Sequence, residues 1–213
     1  MEIKFFGANC LRITTRQRSV VIDDNLESLG LPAITKDKDS VFFTSRTLKP
    51  AKLPKVEFMV DTAGEFELGN LMIQAHAVRA INDDKDVKSG VLYKFVADRV
   101  AVVVTGHMHP DADTTFLESL SPVDVVFAPI GGNGYTLDVV SVQKIVNKIN
   151  PRYFVPTHFD DSAIKYEVAQ DPLSKLFEEL GQVAEDPQDV LKLKASLSPE
   201  HSGTQLLALK RAS

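Results

Sequence analysis

The sequence predicts an α/β sandwich, two mixed sheets packed face to face with helices on their outer faces, on three observations. The first half is a series of short apolar or alternating runs rich in β-branched and aromatic residues, punctuated by Gly, Asp, Asn and Pro at the spacing of neighbouring strands. From about Thr114 the pattern changes to alternating helix and strand, and strands followed by such alternation pack as layers around one core. Finally, 213 residues with 44% hydrophobic content can bury that core without a disulfide or metal staple, as one domain over residues 1–213.

Each element follows from its own pattern. The runs MEIKFFG, CLRITT, SVVIDD, SVFFTS, VEFMV, FELGNLMIQAHAV, GVLYKFVA and RVAVVVTG supply the early strands. TTFLESL is helical in spacing, and VDVVFAPI is a buried strand. LDVVSVQKIVNKIN places Val139, Val142, Ile145, Val146 and Ile149 on one helical face, so it packs against a sheet. RYFVPTHF is the next strand. DPLSKLFEELG is a helix with Asp171 near its cap, Pro172 in its first turn and Gly181 after its end. SGTQLLALKR closes the series as a strand.

Composition narrows the function. A net charge of −5 argues against general attraction to phosphate backbones, so no nucleic-acid partner is expected. The basic stretch TSRTLKPAKLPK is a local exception. No run of eighteen apolar residues and no basic leader before an apolar segment is present, which predicts a soluble cytoplasmic protein with no membrane partner. Cys10, the single cysteine, fits a reducing compartment and the role of a small core residue. A homo-oligomer is compatible with all of this.

The stretch TGHMHPDAD, Thr105 to Asp113, carries the first functional question. His107-x-His109-x-Asp111-x-Asp113 follows a β-branched run with the spacing of a metal-ligand element. In one reading His107 and His158, at the end of RYFVPTHF, meet at a sheet edge, and His109 or Asp111 completes a site for a single weakly held divalent metal. In the other, His107 is a polar residue hydrogen-bonded inside a degenerate cleft, while His109, Asp111 and Asp113 form a solvated loop and cap the helix TTFLESL. Pro110 and the helix start at Thr114 break the regular strand that would aim His107, His109 and Asp111 in one direction. That favours the second reading.

Four segments together resemble the metallo-β-lactamase superfamily, particularly the branch of ascorbate-6-phosphate lactonase and related metal-dependent hydrolases. They are the opening I-x-F-F-G, AGEFELGN, PVDVVFAPIGGNGYTLD and NPRYFVPTHF, in the family's order and spacing across nearly the whole chain. The resemblance implies the four-layer αββα fold and, in an active member, hydrolysis of a lactone, phosphoester or similar small ester by a dinuclear zinc centre. The family's main ligands come from a T-H-x-H-x-D-H loop. In this chain the matching loop has Ser45, Thr47, Lys49 and Pro50 at the ligand positions. A further family histidine falls near Ala80, with Asn82 the nearest polar candidate. The bridging aspartate aligns with His107, and only the last histidine, His158, is kept. The expected cofactor is therefore none, or one weakly held divalent metal, and the dinuclear site is expected to be absent.

Two functions compete on this basis. One is a divergent hydrolase using His107 and His158; the other is a non-catalytic descendant binding an anionic small molecule or a protein partner through the old cleft. Arg46 and Lys49, in the former ligand loop, would suit an anion. Gly131 and Gly132 in G-G-N-G could cradle one with backbone N–H groups near a helix start, or could simply make a tight turn. Asp160 and Asp161 are placed to orient the His158 ring. Glu65 and Glu67 are structural candidates, His76 a satisfied strand residue, Asp23 and Asp24 turn or cap residues, and His201 an exposed one.

Overall fold

The computed structural model describes residues 1–183, 186–194 and 203–212. The expectation for His201 lies outside the described residues. The first five strands, β1 (Glu2–Gly7), β2 (Cys10–Thr14), β3 (Ser19–Ile22), β4 (Ser40–Phe42) and β5 (Phe58–Val60), lie side by side in that order. The next four, β6 (Gly64–Leu68), β7 (Leu71–Val78), β8 (Gly90–Ala97) and β9 (Val100–Val104), make an antiparallel meander. After them come α1 (Thr114–Ser119), β10 (Val125–Pro129), α2 (Val139–Ile149), β11 (Tyr153–Thr157) and α3 (Leu173–Glu179). β10 joins β9 in parallel, and β11 joins β10. Two short strands then return to different sheets, β12 (Leu191–Lys192) beside β1 and β13 (Gln205–Leu206) beside β11.

The products are a six-stranded sheet, β12-β1-β2-β3-β4-β5, and a seven-stranded sheet, β13-β11-β10-β9-β8-β7-β6. Their inner faces share one core. Phe42 of the first sheet sits edge-on to Tyr93 and Phe95 of the second, with ring centroids 5.5 and 5.4 Å apart. This is the sandwich that the sequence predicts, and the period-two pattern explains it. In β2, β3 and β4, Leu11, Ile13, Val20, Ile22 and Phe42 point into the shared core, whereas Cys10, Val21 and Val41 point into a second cluster on the other face.

That second cluster is covered by Leu26 and Leu48 from two 3-10 turns, spanning Leu26–Leu29 and Arg46–Leu48, and by loop residues. The α-helices lie against the seven-stranded sheet. Val139, Val142, Ile145, Val146 and Ile149 of α2 are all buried there, the face expected from their spacing. Asp138 caps α2 by accepting from Ser141 N at 2.7 Å, and Asn150 ends it in the left-handed region. Asp113 caps α1 in the same way, accepting from Phe116 N at 2.7 Å. α3 begins one residue later than its sequence suggests: Pro172 is its cap, and Asp171 instead accepts from Lys175 at 2.7 Å. No helix among the described residues is long and apolar enough to cross a membrane.

Candidate functional site

The ends of several strands from both sheets gather on one edge of the sandwich. After β3, Asp23 takes a left-handed conformation with φ 50° and accepts from Thr44 N at 2.7 Å and Thr44 Oγ1 at 2.6 Å. Thr44, just past β4, packs directly on Gly106, just past β9: a Cβ on Gly106 would lie 2.5 Å from the Thr44 Cβ. Gly106 also has φ 58°, so glycine is required there for both reasons. Between the first two strands, Asn9 accepts from Thr157 Oγ1 at 2.5 Å, and Ala8 O accepts from His158 N at 2.8 Å. These bonds lock the six-stranded sheet to the loops after β9 and β11.

His107 and His158 project from those loops and meet. Their ring centroids are 4.7 Å apart, edge to face. The Tyr135 ring lies 5.2 Å from His107 and 5.5 Å from His158, and the Tyr166 ring lies 4.6 Å from His158. His158 is buried and its backbone is in the left-handed region, with φ 52°. Its Nδ1 is 3.3 Å from Gln170 Oε1. His107 Nε2 is inaccessible and has no hydrogen-bond partner among the described residues.

Burial governs the electrostatics. It pushes the His158 imidazole down to about 4, and pushes His107 well below its ordinary range, with His158 adding to the effect. Both rings are therefore neutral near pH 7. Burial raises Asp23 to about 7, against the opposing hydrogen bonds from Thr44 and Asn9. It also raises the Tyr166 and Tyr135 phenols, so neither is a phenolate at neutral pH.

The other predicted residues take varied places. His109 is tied to the segment after β7 and to its own loop: its N donates to Arg79 O at 2.8 Å, and its Nδ1 accepts from Asp111 N at 3.0 Å. Asp111 is exposed beside it, 4.0 Å from Arg79. In the loop after β4, Ser45 and Thr47 hydroxyls bond to each other at 2.9 Å. Arg46 and Lys49 both reach Asp61, at 3.7 and 3.8 Å. Gly131 lies against Gln170 and the His158 carbonyl, which leaves no room for a side chain. Gly132 has φ 65° and faces Asp171. Ala80 pairs with Met108, and Ile81 N donates to His107 O at 2.9 Å, so that segment runs alongside the histidine loop.

Two expectations are corrected. Asp160 and Asp161 do not orient His158; they accept from backbone N–H groups of residues 162–164, and Asp161 binds Arg211 at 2.6 Å. Gln170 makes the contact instead, because the loop doubles back and Asp160 N donates to Asp171 O. Asp23 and Asp24 are buried bond acceptors rather than solvated turn or cap residues. Asp24 Oδ2 takes Ile34 N, Thr35 N and Thr35 Oγ1 at 2.6–2.8 Å. Glu65 and Glu67 are exposed on edge strand β6, and His76 packs on Phe116 with centroids 5.2 Å apart. Sequence reasoning missed Tyr135, Tyr166 and Gln170. Only Tyr135 carried a signal, its place directly after the G-G-N-G turn.

The donor set does not fit a dinuclear zinc centre. Such a centre takes several His, Cys or carboxylate ligands per ion, whereas no group of three His, Cys, Asp or Glu side chains among the described residues is placed to hold a metal ion. Comparison with known proteins nevertheless identifies the lineage. One similar solved structure is a protein of Thermotoga maritima described as a Zn-dependent hydrolase of the metallo-beta-lactamase superfamily. It shares 16% identity with a TM-score of 0.71, over 98% of this chain and 100% of that one. An isothiocyanate hydrolase from Delia radicum gut bacteria has a TM-score of 0.64 at 12% identity, over 92% of this chain and all of that one. At these identities the likeness shows the fold. A metal-dependent hydrolase of Carboxydothermus hydrogenoformans is 38% identical over 48 residues, 22% of this chain and 21% of that relative's length. Residues 2–158 match the family model of the beta-lactamase superfamily domain, so this chain belongs to the beta-lactamase superfamily.

Proposed function

We propose that this chain is a ligand-binding descendant of the hydrolase fold, one that takes a small anionic molecule in the old cleft without a dinuclear metal centre. The observation that carries the reading is the former ligand loop. Ser45 and Thr47 are bonded to each other, and Arg46 and Lys49 share the single carboxylate of Asp61, leaving one excess positive charge in this loop. Two cations held by one anion can turn to an incoming oxyanion with little rearrangement. The neutral imidazoles of His107 and His158 would form the cleft floor. A single cysteine, Cys10, fits a reducing compartment such as the cytoplasm.

The test is a thermal-shift titration with inorganic phosphate, run beside elemental analysis. Phosphate should raise the melting temperature of the wild type and not that of the Arg46→Ala/Lys49→Ala variant, and the protein should carry well under two zinc per chain. Two tightly held metals would overturn the reading. A second reading is a reduced hydrolase using one divalent ion, and the contact between the His107 and His158 rings supports it. Turnover of lactone or phosphodiester substrates that requires zinc or manganese and is lost in His158→Ala would establish that reading instead.

A further inference from the structure

The seven-stranded sheet ends at β6, and that end is open in a way the other sheet edges are not. β5 runs for three residues and β12 and β13 for two each, too short to template a further strand, whereas β6 runs for five in unbroken register with β7. It contains no proline and no bulge. Gly69, at φ 63°, and Asn70 form the two-residue turn into β7, so the turn's own bond joins Leu68 to Leu71. Bonded and non-bonded pairs alternate from there. Gly64, Phe66 and Leu68 therefore turn their backbone groups to β7, while Glu65 and Glu67 turn theirs outward. No other backbone segment among the described residues takes up those N–H and C=O groups.

The two faces of β6 differ in chemistry. The Glu65 and Glu67 side chains are exposed on the outer face, with no ion-pair partner among the described residues. Phe66 and Leu68 pack inward but are only partly buried, and the Phe66 ring lies edge-on to Phe58 of β5, centroids 5.7 Å apart, so this contact bridges the edges of the two sheets. An added strand would meet carboxylates on one face and an apolar, aromatic-lined edge on the other. A second copy of β6 is a poor occupant. Antiparallel self-pairing would set Glu65 and Glu67 opposite the same two residues of the other copy, and like charges opposed across a ladder destabilise it. The charge that excludes self-pairing attracts a cationic strand.

We propose that β6 is a docking edge for an extended basic segment of a partner protein, one whose lysines or arginines alternate with aliphatic residues. The segment adds antiparallel to β6 and continues the meander, with basic side chains beside Glu65 and Glu67 and an aliphatic one between them over Phe66. Two strands separate this edge from β9, which leads to His107, so the surface is independent of the anion-binding reading.

The probe is a labelled, end-blocked peptide, Thr-Lys-Val-Lys-Val-Lys-Thr, titrated with the full chain and read by fluorescence anisotropy. It should bind about tenfold more tightly than the same peptide with glutamate for lysine. Glu65→Lys/Glu67→Lys changes two exposed side chains and should reverse that preference. In the antiparallel pairing the lysine amides bond to β6 and the valine amides point away. N-methylation of the lysine amides should therefore abolish binding, and N-methylation of the valine amides should spare it. Equal sensitivity to the two methylation patterns would reduce the contact to charge attraction and overturn the proposal, as would equal binding of the lysine and glutamate peptides or no binding of either. Hydrogen exchange on the wild type needs no variant: the Glu65 and Glu67 amides should exchange rapidly in the free protein and become protected with the lysine peptide. Protection in the free protein that rises with its concentration would place a second copy on the edge and refute the assignment.

Discussion

Asp23 and His158 are both buried and ionisable, yet burial acts on them in opposite directions, which makes their effects on stability separable. Asp23 has a folded value of about 7 against an ordinary 3.8, so it binds its proton more tightly in the folded state. Its contribution is fully present below pH 3.8 and is lost as pH rises through 7. His158 has a folded value of about 4 against 6.5, so its contribution is present above pH 6.5 and is lost as pH falls through 4. Each amounts to about 3 to 4 kcal/mol at its limit. Between pH 4 and 6.5 the two slopes oppose and largely cancel. Urea unfolding across that range should therefore be nearly flat for the wild type. Asp23→Asn should lose stability on acidification, and His158→Gln should gain it; parallel profiles for all three proteins would contradict this assignment. The two histidines were legible in the sequence because each ends an apolar run, where chemistry collects. Asp23 was misread because an Asp-Asp-Asn turn has the composition of solvated surface, and nothing local reveals that Thr44 and Asn9 close over it.

At the scale of elements, legibility follows how much of an element's stability comes from its own pattern. Five apolar residues at helical spacing, a carboxylate before them and an asparagine after them define α2, and the helix found is the one predicted. A substitution at its cap tests that self-sufficiency. Asp138→Ala removes the acceptor for Ser141 N and should cost about 1 kcal/mol, read as a lower urea midpoint with an unchanged slope. A negligible change would mean that α2 is held by packing alone. β12 and β13 lie at the other extreme. Each pairs over two residues through backbone groups, so their side chains record almost nothing of the pairing. The predicted closing strand SGTQLLALKR is for the same reason mostly isolated bridges, Leu209 to Gln188 and Arg211 to Phe5. The loop from Phe159 to Asp171 is also illegible. Its ends are tied by Asp160 and Asp171, and Lys165 N donates to Leu29 O, contacts between segments far apart in sequence. That is why Gln170 went unseen and Asp160 and Asp161 were given its role.

For the whole molecule, the fold and the chemistry of its relatives separate cleanly. The core that joins the sheets through Phe42, Tyr93 and Phe95 contains none of Ser45, Thr47, Lys49, Pro50 and His107, so exchanging those residues should leave the sandwich in place. The strand ends that hold them also remain fixed, by Asp23 on Thr44, Thr44 on Gly106, and Asn9 on Thr157. If the scaffold is intact and only the donor atoms have changed, restoring the donors should restore metal binding. Ser45→His, Thr47→His, Lys49→Asp, Pro50→His and His107→Asp together rebuild the loop pattern and the bridging carboxylate around His158. They also replace a lysine with a carboxylate, which reverses the local charge that disfavours a cation. The fivefold variant should take up at least one zinc per chain on reconstitution, measured by elemental analysis after exhaustive dialysis, and zinc should raise its melting temperature as expected for a ligand that binds only the folded state. Wild-type protein treated in parallel should retain well under two zinc per chain. A correctly folded variant that holds no zinc would show that the loop from Ser45 to Pro50 is not placed to share a metal ion with His158, so that the backbone as well as the side chains would have to change.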